Sequence, residues 1–180
     1  MNILSLLSSL LRSPEAPLTI PGTSSVPDHR QGILVKQPRC VVLFLDFDGV
    51  LHPCQSGSFR HMPLFEQWLL THPSVEVVVS STWRETHTFT ELCSLFPATV
   101  RDRIIGTTPV FEDRLREDEI QHFACRHGIA HWFCIDDQVS DFPSIRESRL
   151  VATEYVRGIT AEILREMSRR VALAEAGLSA

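Results

Sequence analysis

The sequence predicts an α/β fold: a Rossmann-like, parallel five-stranded sheet with helices on both faces. Three observations predict it. The run Val41-Val42-Leu43-Phe44-Leu45 is apolar throughout, as a strand buried on both faces must be. Two carboxylates, Asp46 and Asp48, follow it immediately, with Phe47 between them and Gly49 after. Beyond that run, short apolar segments alternate with stretches of helical period up to about residue 171.

Each element can be justified in turn. Leu51 to Met62 contains Pro53, Gly57 and Ser58 and reads as a flap or loop. Pro63 suits the first turn of a helix carrying Leu64, Phe65, Trp68 and Leu69. Val75 to Val79 is a second buried strand, closed by Ser80-Ser81-Thr82. A helix is expected from there to about Phe96, with Phe89, Leu92, Cys93 and Phe96 at helical spacing. Arg103 to Gly106 is a short third strand. Arg116 to His127 is a helix with Ile120, Phe123 and Ala124 inward, and Gly128 fits its end. Trp132 to Asp136 is the fourth strand and Leu150 to Thr153 the fifth. Thr160 starts a last helix carrying Ile163, Leu164, Met167 and Val171.

The chain divides into an extension, residues 1–38, and one domain, residues 39–180. Ile3, Leu6, Leu7, Leu10 and Leu11 would share one helix face, able to dock on the domain, on a partner or on a membrane surface. The segment is too short to cross a membrane and lacks the leading basic residues of a signal peptide. Ser13 to Pro38, rich in Pro, Gly, Ser and Thr, reads as an extended linker. The formal net charge of −5 argues against a broad electrostatic grip on nucleic acid. Arg101, Arg103, Arg114 and Arg116 still allow a local basic patch. The five cysteines are odd in number. Cys40 and Cys134 fall in predicted strands and Cys93 on an apolar helix face, so a reducing, cytoplasmic compartment is expected. No Cys/His spacing suggests zinc.

The chemistry lies in the acids. Strand alternation would put Asp46 and Asp48 on one side and Phe47 on the other. The carboxyl end of a buried strand is where open α/β sheets bind ligands. Two acids there repel unless a cation or a shared proton relieves them, and a hard divalent ion such as Mg²⁺ is the simplest relief. A calcium loop beginning at Asp46 would need glutamate at its twelfth position, where Gly57 stands. Asp136-Asp137, closing the fourth strand, would complete an oxygen cage. Ser80, with Ser81 as alternative, could hold a phosphate oxygen, although a Ser-Ser-Thr run is also a common helix cap. Arg116 opens a helix leading back to the strand ends and could neutralise phosphate charge. His52 and His61 follow the first acidic pair closely enough to touch a substrate.

This order resembles the haloacid dehalogenase (HAD) superfamily from about Cys40 to Thr160. Its four motifs are matched by Asp46-Phe47-Asp48-Gly49-Val50, by Ser80 or Ser81, by Arg116 or Arg114, and by Asp136-Asp137. The phrases Asp48-Gly49-Val50-Leu51-His52-Pro53, Ser80-Ser81-Thr82-Trp83-Arg84 and Ile105-Gly106-Thr107-Thr108-Pro109 are similar to a narrower branch. That branch is the HAD domain of the Swiss army knife RNA-repair proteins, similar in layout to the 3′-phosphatase domain of polynucleotide kinases. The resemblance implies a phosphatase in which Asp46 attacks phosphorus and Asp48 moves the proton. Ser80 and Arg116 would bind the phosphoryl group. Mg²⁺ would be held by Asp46, Asp137, the Asp48 carbonyl and, directly or through another ligand, Asp136. The stretches between motifs are too short for an inserted cap domain, so an open site facing RNA or DNA ends, phosphoproteins or other large substrates is expected. His52, Arg84 and Thr107 are candidate substrate contacts, and Arg84, Arg101 and Arg103 could meet a phosphodiester backbone. A phosphoprotein or small-metabolite phosphatase is the enzyme alternative, and a non-catalytic HAD-like interaction module is the alternative from another class.

Overall fold

The computed structural model describes residues 31–177. The Leu-rich segment and the linker up to residue 30 lie outside the described residues. Strands β1 (Ile33–Leu34), β2 (Val41–Leu45), β3 (Val75–Val79), β4 (Ile104–Thr107), β5 (Trp132–Asp136) and β6 (Leu150–Ala152) form one sheet. Its order is β1-β4-β3-β2-β5-β6. The five strands from β2 to β6 are parallel. The sixth, β1, is antiparallel and pairs Ile33 with Thr107 and Leu34 with Gly106. It falls within the stretch read as linker. A side chain on Gly106 would run into the Ile33 carbonyl, so glycine there is what lets β1 close up on β4.

The helices are α1 (Met62–Thr71), α2 (Phe89–Ser94), α3 (Arg116–Arg126), α4 (Arg146–Arg149) and α5 (Ala161–Glu175). Alternation along the strands sorts the core into two layers. Val41, Leu43, Leu45, Val75, Val77 and Val79 pack with residues of α1, α2 and α5. Val42, Phe44, Val78 and Cys134 pack with Ile120, Phe123 and Ala124 of α3. Phe44 meets Phe123 and Trp132 edge-on, at 6.0 and 5.4 Å between ring centroids. Each such side chain, fully buried, stabilises by roughly 1.5–3 kcal/mol before entropy is counted.

Two expectations need correction. The helix expected after Ser80-Ser81-Thr82, running to about Phe96, is broken. A 3₁₀ turn over Thr82–Glu85 comes first, then α2 begins afresh at Phe89. Thr88 is the reason: its hydroxyl accepts from the Glu91 N–H while the Glu91 carboxylate accepts from the Thr88 N–H, a complete capping box. Cys40 is exposed, because β2 starts one residue later. Cys134 is buried as expected, and all five thiols are free. Among the described residues, no helix is long and apolar enough to cross a membrane. None forms a cap domain either: the flap, α1, the 3₁₀ turn and α2 account for the connections after β2 and β3.

Candidate active site

The chain runs from β2 out to β3 and β4 on one side, then crosses to β5 and β6 on the other. The reversal lies between β2 and β5, and a crevice at that point is where such sheets take ligands. Asp46 leaves β2 there, its N–H donating to the Ile135 carbonyl at 3.2 Å. Asp136 ends β5 beside it and Asp137 follows. Oxygens of Asp46, Asp136 and Asp137 lie within 4.8 Å of one another. Gly49 makes this approach possible. Its φ is +66°, and a Cβ there would stand 2.6 Å from the Asp137 carboxyl carbon.

One cation serves this cluster. Arg116, from the first turn of α3, donates through Nη1 to Asp46 Oδ1 at 2.8 Å and to Asp136 Oδ2 at 3.1 Å. Burial works against the guanidinium charge, but Asp136 and Asp46 outweigh it and hold the group protonated beyond its ordinary range. Burial pushes the Asp136 carboxyl up to about 7; Arg116 pulls it back and Asp46 opposes that pull. Asp137 is raised too, by burial and then by Asp46. Three carboxylates against one arginine leave a negative site, and its donors are all hard oxygens. These residues fit a divalent cation such as Mg²⁺.

Asp48 stands apart from this group. Its Oδ2 accepts from Trp83 Nε1 at 2.9 Å, and its Oδ1 lies 3.5 Å from His52 Nε2. Phe47 turns away between Phe59, Trp83 and Phe96. His52, a candidate substrate contact, is fully buried behind Asp48. His61 is the residue before α1 and packs against Gly158.

Ser80 N–H donates to the Leu45 carbonyl at 2.9 Å, which places Ser80 beside Asp46. Continued alternation puts Ser80 on the α3 side with Asp46 and Asp136. The hydroxyls of Ser80, Ser81 and Thr108 are buried with no hydrogen-bond partner among the described residues. Ser81 precedes the 3₁₀ turn, and its side chain caps nothing. Thr107 pairs with Val79, so the next residue, Thr108, falls on the side of Ser80. Of the two neighbours it is Thr108, not Thr107, that joins the row. Sequence reasoning missed this because a bulge at Val77/Val78 shifts the register of β4.

Of the other arginines, Arg84 and Arg114 line the cleft beside Arg116, while Arg84, Arg101 and Arg103 are bonded to backbone carbonyls. Arg84, 3% exposed, donates to the Ser80 carbonyl at 2.6 Å and to the Thr108 and Pro109 carbonyls at 3.2 Å each, and it pairs with Glu119. It staples the turns after β3 and β4 to α3. Arg101 donates to the Phe96 carbonyl, and Arg103 to the carbonyls of His72 and Val75. Arg114 is exposed, with its guanidinium 5.3 Å from the Phe111 ring centre, while Arg116 is the one that reaches the acids. A cleft of about 380 Å³ opens beside Arg116, lined also by Thr82, Glu85, Phe111, Arg114 and Asp141.

Comparison with known proteins agrees with this geometry. Residues 42–164 match the family described as the HAD domain in Swiss Army Knife RNA repair proteins. Comparison with curated proteins and with solved structures gave no match. The match spans β2 to the start of α5 and takes in every acid of the site, so the chain belongs to this HAD family.

Proposed function

We propose that the chain is a Mg²⁺-dependent phosphomonoester hydrolase acting on a macromolecular substrate, with nucleic-acid 3′-phosphate ends as the favoured class. Family membership supports HAD-type phosphohydrolase chemistry in general. The observation that carries the reading is the separation of the two acids. Asp46 lies among charges, bonded to Arg116, while Asp48 is bonded to Trp83 and faces His52. One carboxylate is thereby suited to attack and the other to exchange a proton.

In the first half-reaction an Asp46 oxygen bonds to phosphorus as the bond to the leaving oxygen breaks. The electron pair stays on that oxygen, which takes the proton of Asp48. In the second, Asp48 removes a proton from water, the water oxygen bonds to phosphorus, and the Asp46–phosphorus bond breaks. Asp46 returns as a carboxylate, inorganic phosphate leaves, and Asp48 carries the proton again. Arg116 and the hydroxyls of Ser80 and Ser81 are suited to the phosphoryl oxygens. Asp46, Asp137 and the Asp48 carbonyl would hold Mg²⁺, with Asp136 bound to it directly or beside it. The ion, when bound, supplies charge neutralisation at the phosphoryl group.

The open carboxyl edge and the family's occurrence in RNA repair proteins support a nucleic-acid end as substrate. A second reading, a phosphoprotein phosphatase, draws on the cleft, where Glu85, Glu112 and Asp141 stand beside Arg114. Those acids suit a basic peptide better than a polyanion. The test is turnover of 3′-phosphorylated oligonucleotides, phosphopeptides and small phosphate esters, with Mg²⁺ and with EDTA. Preference for the oligonucleotide in Mg²⁺ is the expected result. Preference for a peptide would replace the substrate class, and full activity in EDTA would overturn the metal.

A further inference from the structure

We propose that Trp83 and His52 are positioning residues for Asp48, fixing its carboxyl group for proton transfer to the leaving oxygen; the proposal rests on the phosphohydrolase reading above. Trp83 Nε1 donates to Asp48 Oδ2 at 2.9 Å. The indole is wedged among Phe47, Phe59 and His87, with ring centres 5.9, 5.2 and 5.1 Å away, and His87 stacks on it nearly parallel. A donor packed in this way has little freedom to follow a moving acceptor. It dictates where Asp48 points.

His52 completes the clamp from the other side. Its ring is fully buried and meets Phe59 edge-on at 4.9 Å. Nδ1 lies 3.2 Å from the Cys54 carbonyl, which can only accept, so Nδ1 carries a hydrogen. Nε2 is left facing Asp48 Oδ1 at 3.5 Å, and neither atom has a hydrogen-bond partner among the described residues. Each carboxyl oxygen of Asp48 thus faces one nitrogen. One nitrogen comes from the flap after β2 and the other from the turn after β3. Neither residue touches Asp46, whose carboxylate bonds to Arg116.

The consequence concerns the leaving group. An alkyl oxygen needs a proton as its bond to phosphorus breaks, whereas an aryl oxide departs as a stable anion without one. In the step that expels the leaving oxygen, a residue that works through Asp48 therefore matters for alkyl esters and little for aryl esters, whereas the later attack of water calls on Asp48 for both. A merely structural residue affects both alike.

The experiment uses the full chain with Mg²⁺, an alkyl phosphate ester and p-nitrophenyl phosphate. Trp83→Phe keeps the aromatic packing and removes the donor. It should lower kcat/KM, which reports the steps through departure of the leaving oxygen, about tenfold on the alkyl ester and leave kcat/KM on the aryl ester unchanged. His52→Leu should do the same, and His52→Gln, whose amide can face Asp48, should recover most of the loss. If Trp83→Phe does not fold, the two His52 variants decide. Equal losses of kcat/KM on both esters, or no loss on the alkyl ester, would overturn the proposal while leaving the phosphohydrolase intact. A folded wild-type chain inactive on both esters would overturn that reading and this proposal with it.

Discussion

The two ends of the sheet handle buried charge in opposite ways. At the amino end, Glu76 of β3 is 1% exposed and fully partnered. It accepts from the Arg39 N–H at 2.8 Å and from Lys36 Nζ at 2.9 Å, with Arg39 Nε at 3.4 Å. At the carboxyl end, one guanidinium bonds to two of three clustered carboxylates, and the hydroxyls of Ser80, Ser81 and Thr108 have no partner among the described residues. Buried polar groups that serve only the fold are mostly satisfied by it, with Ser74 Oγ and Arg103 Nε the exceptions near the amino end among the described residues. An unmet deficit, on the same sheet and less than two strand-lengths away, marks where a ligand is expected to supply what the chain lacks.

The comparison breaks most sharply at Asp46. Asp46→Asn should abolish turnover, by about 10³-fold or more, since it removes the group proposed to attack phosphorus. It should not lower the melting temperature, because it also removes one of three repelling charges. Steady-state kinetics with a thermal melt tests both. A folded Asp46→Asn protein with near-normal activity would sink the mechanism. Asp137→Ala comes next. It takes one oxygen from the cluster, so the Mg²⁺ concentration for half-maximal activity should rise at least several-fold. The rise in melting temperature on adding Mg²⁺ should shrink in parallel. An unchanged titration would remove Asp137 from the site.

The amino end sharpens the contrast through stability instead of activity. Deleting residues 1–38 removes β1 and Lys36, while deleting residues 1–30 leaves both. The longer deletion should cost roughly 1–3 kcal/mol more, from an exposed β4 edge and a buried carboxylate short of a partner. Equal melting temperatures for the two truncations would show that β1 contributes nothing. Both should keep the Asp46, Asp48 and Arg116 chemistry as long as they remain folded.

Much of this was legible from local pattern. β3 and β5 coincide with the strands read from the sequence, since an apolar run ended by Ser80 or by Asp137 leaves no other boundary. The acids were legible for the same reason. What escaped depends on distance along the chain. Ile33–Leu34 is too short to carry a period. Arg84 looked available to substrate because it adjoins Ser80. Its actual partners Thr108, Pro109 and Glu119 lie 24 to 35 residues away, and no local pattern announces them. Trp83 and Asp48 are likewise 35 residues apart, so the hydrogen bond between them is invisible until β2 and β3 lie side by side.

The smallest effect, and the most direct measure of what full partnering is worth, is the pH dependence at Glu76. Burial raises its pKa, but the hydrogen bond from Lys36 and those from Arg39 outweigh burial, and the carboxyl is held below its ordinary value of 4.5. A depressed carboxylate stabilises the folded state at all pH values above its unfolded pKa, and the contribution is lost as pH falls through the lower folded value. Glu76→Gln keeps the size and one acceptor but not the charge. It should melt below the wild type at pH 7 by an amount equivalent to about 1 kcal/mol, and the gap should narrow once the pH falls below 4.5. Lys36 is partly exposed, so added salt should reduce the gap at pH 7 as well. Parallel melting curves from pH 7 down to pH 3 would show that the Glu76 charge contributes nothing, and that packing alone holds the amino end together.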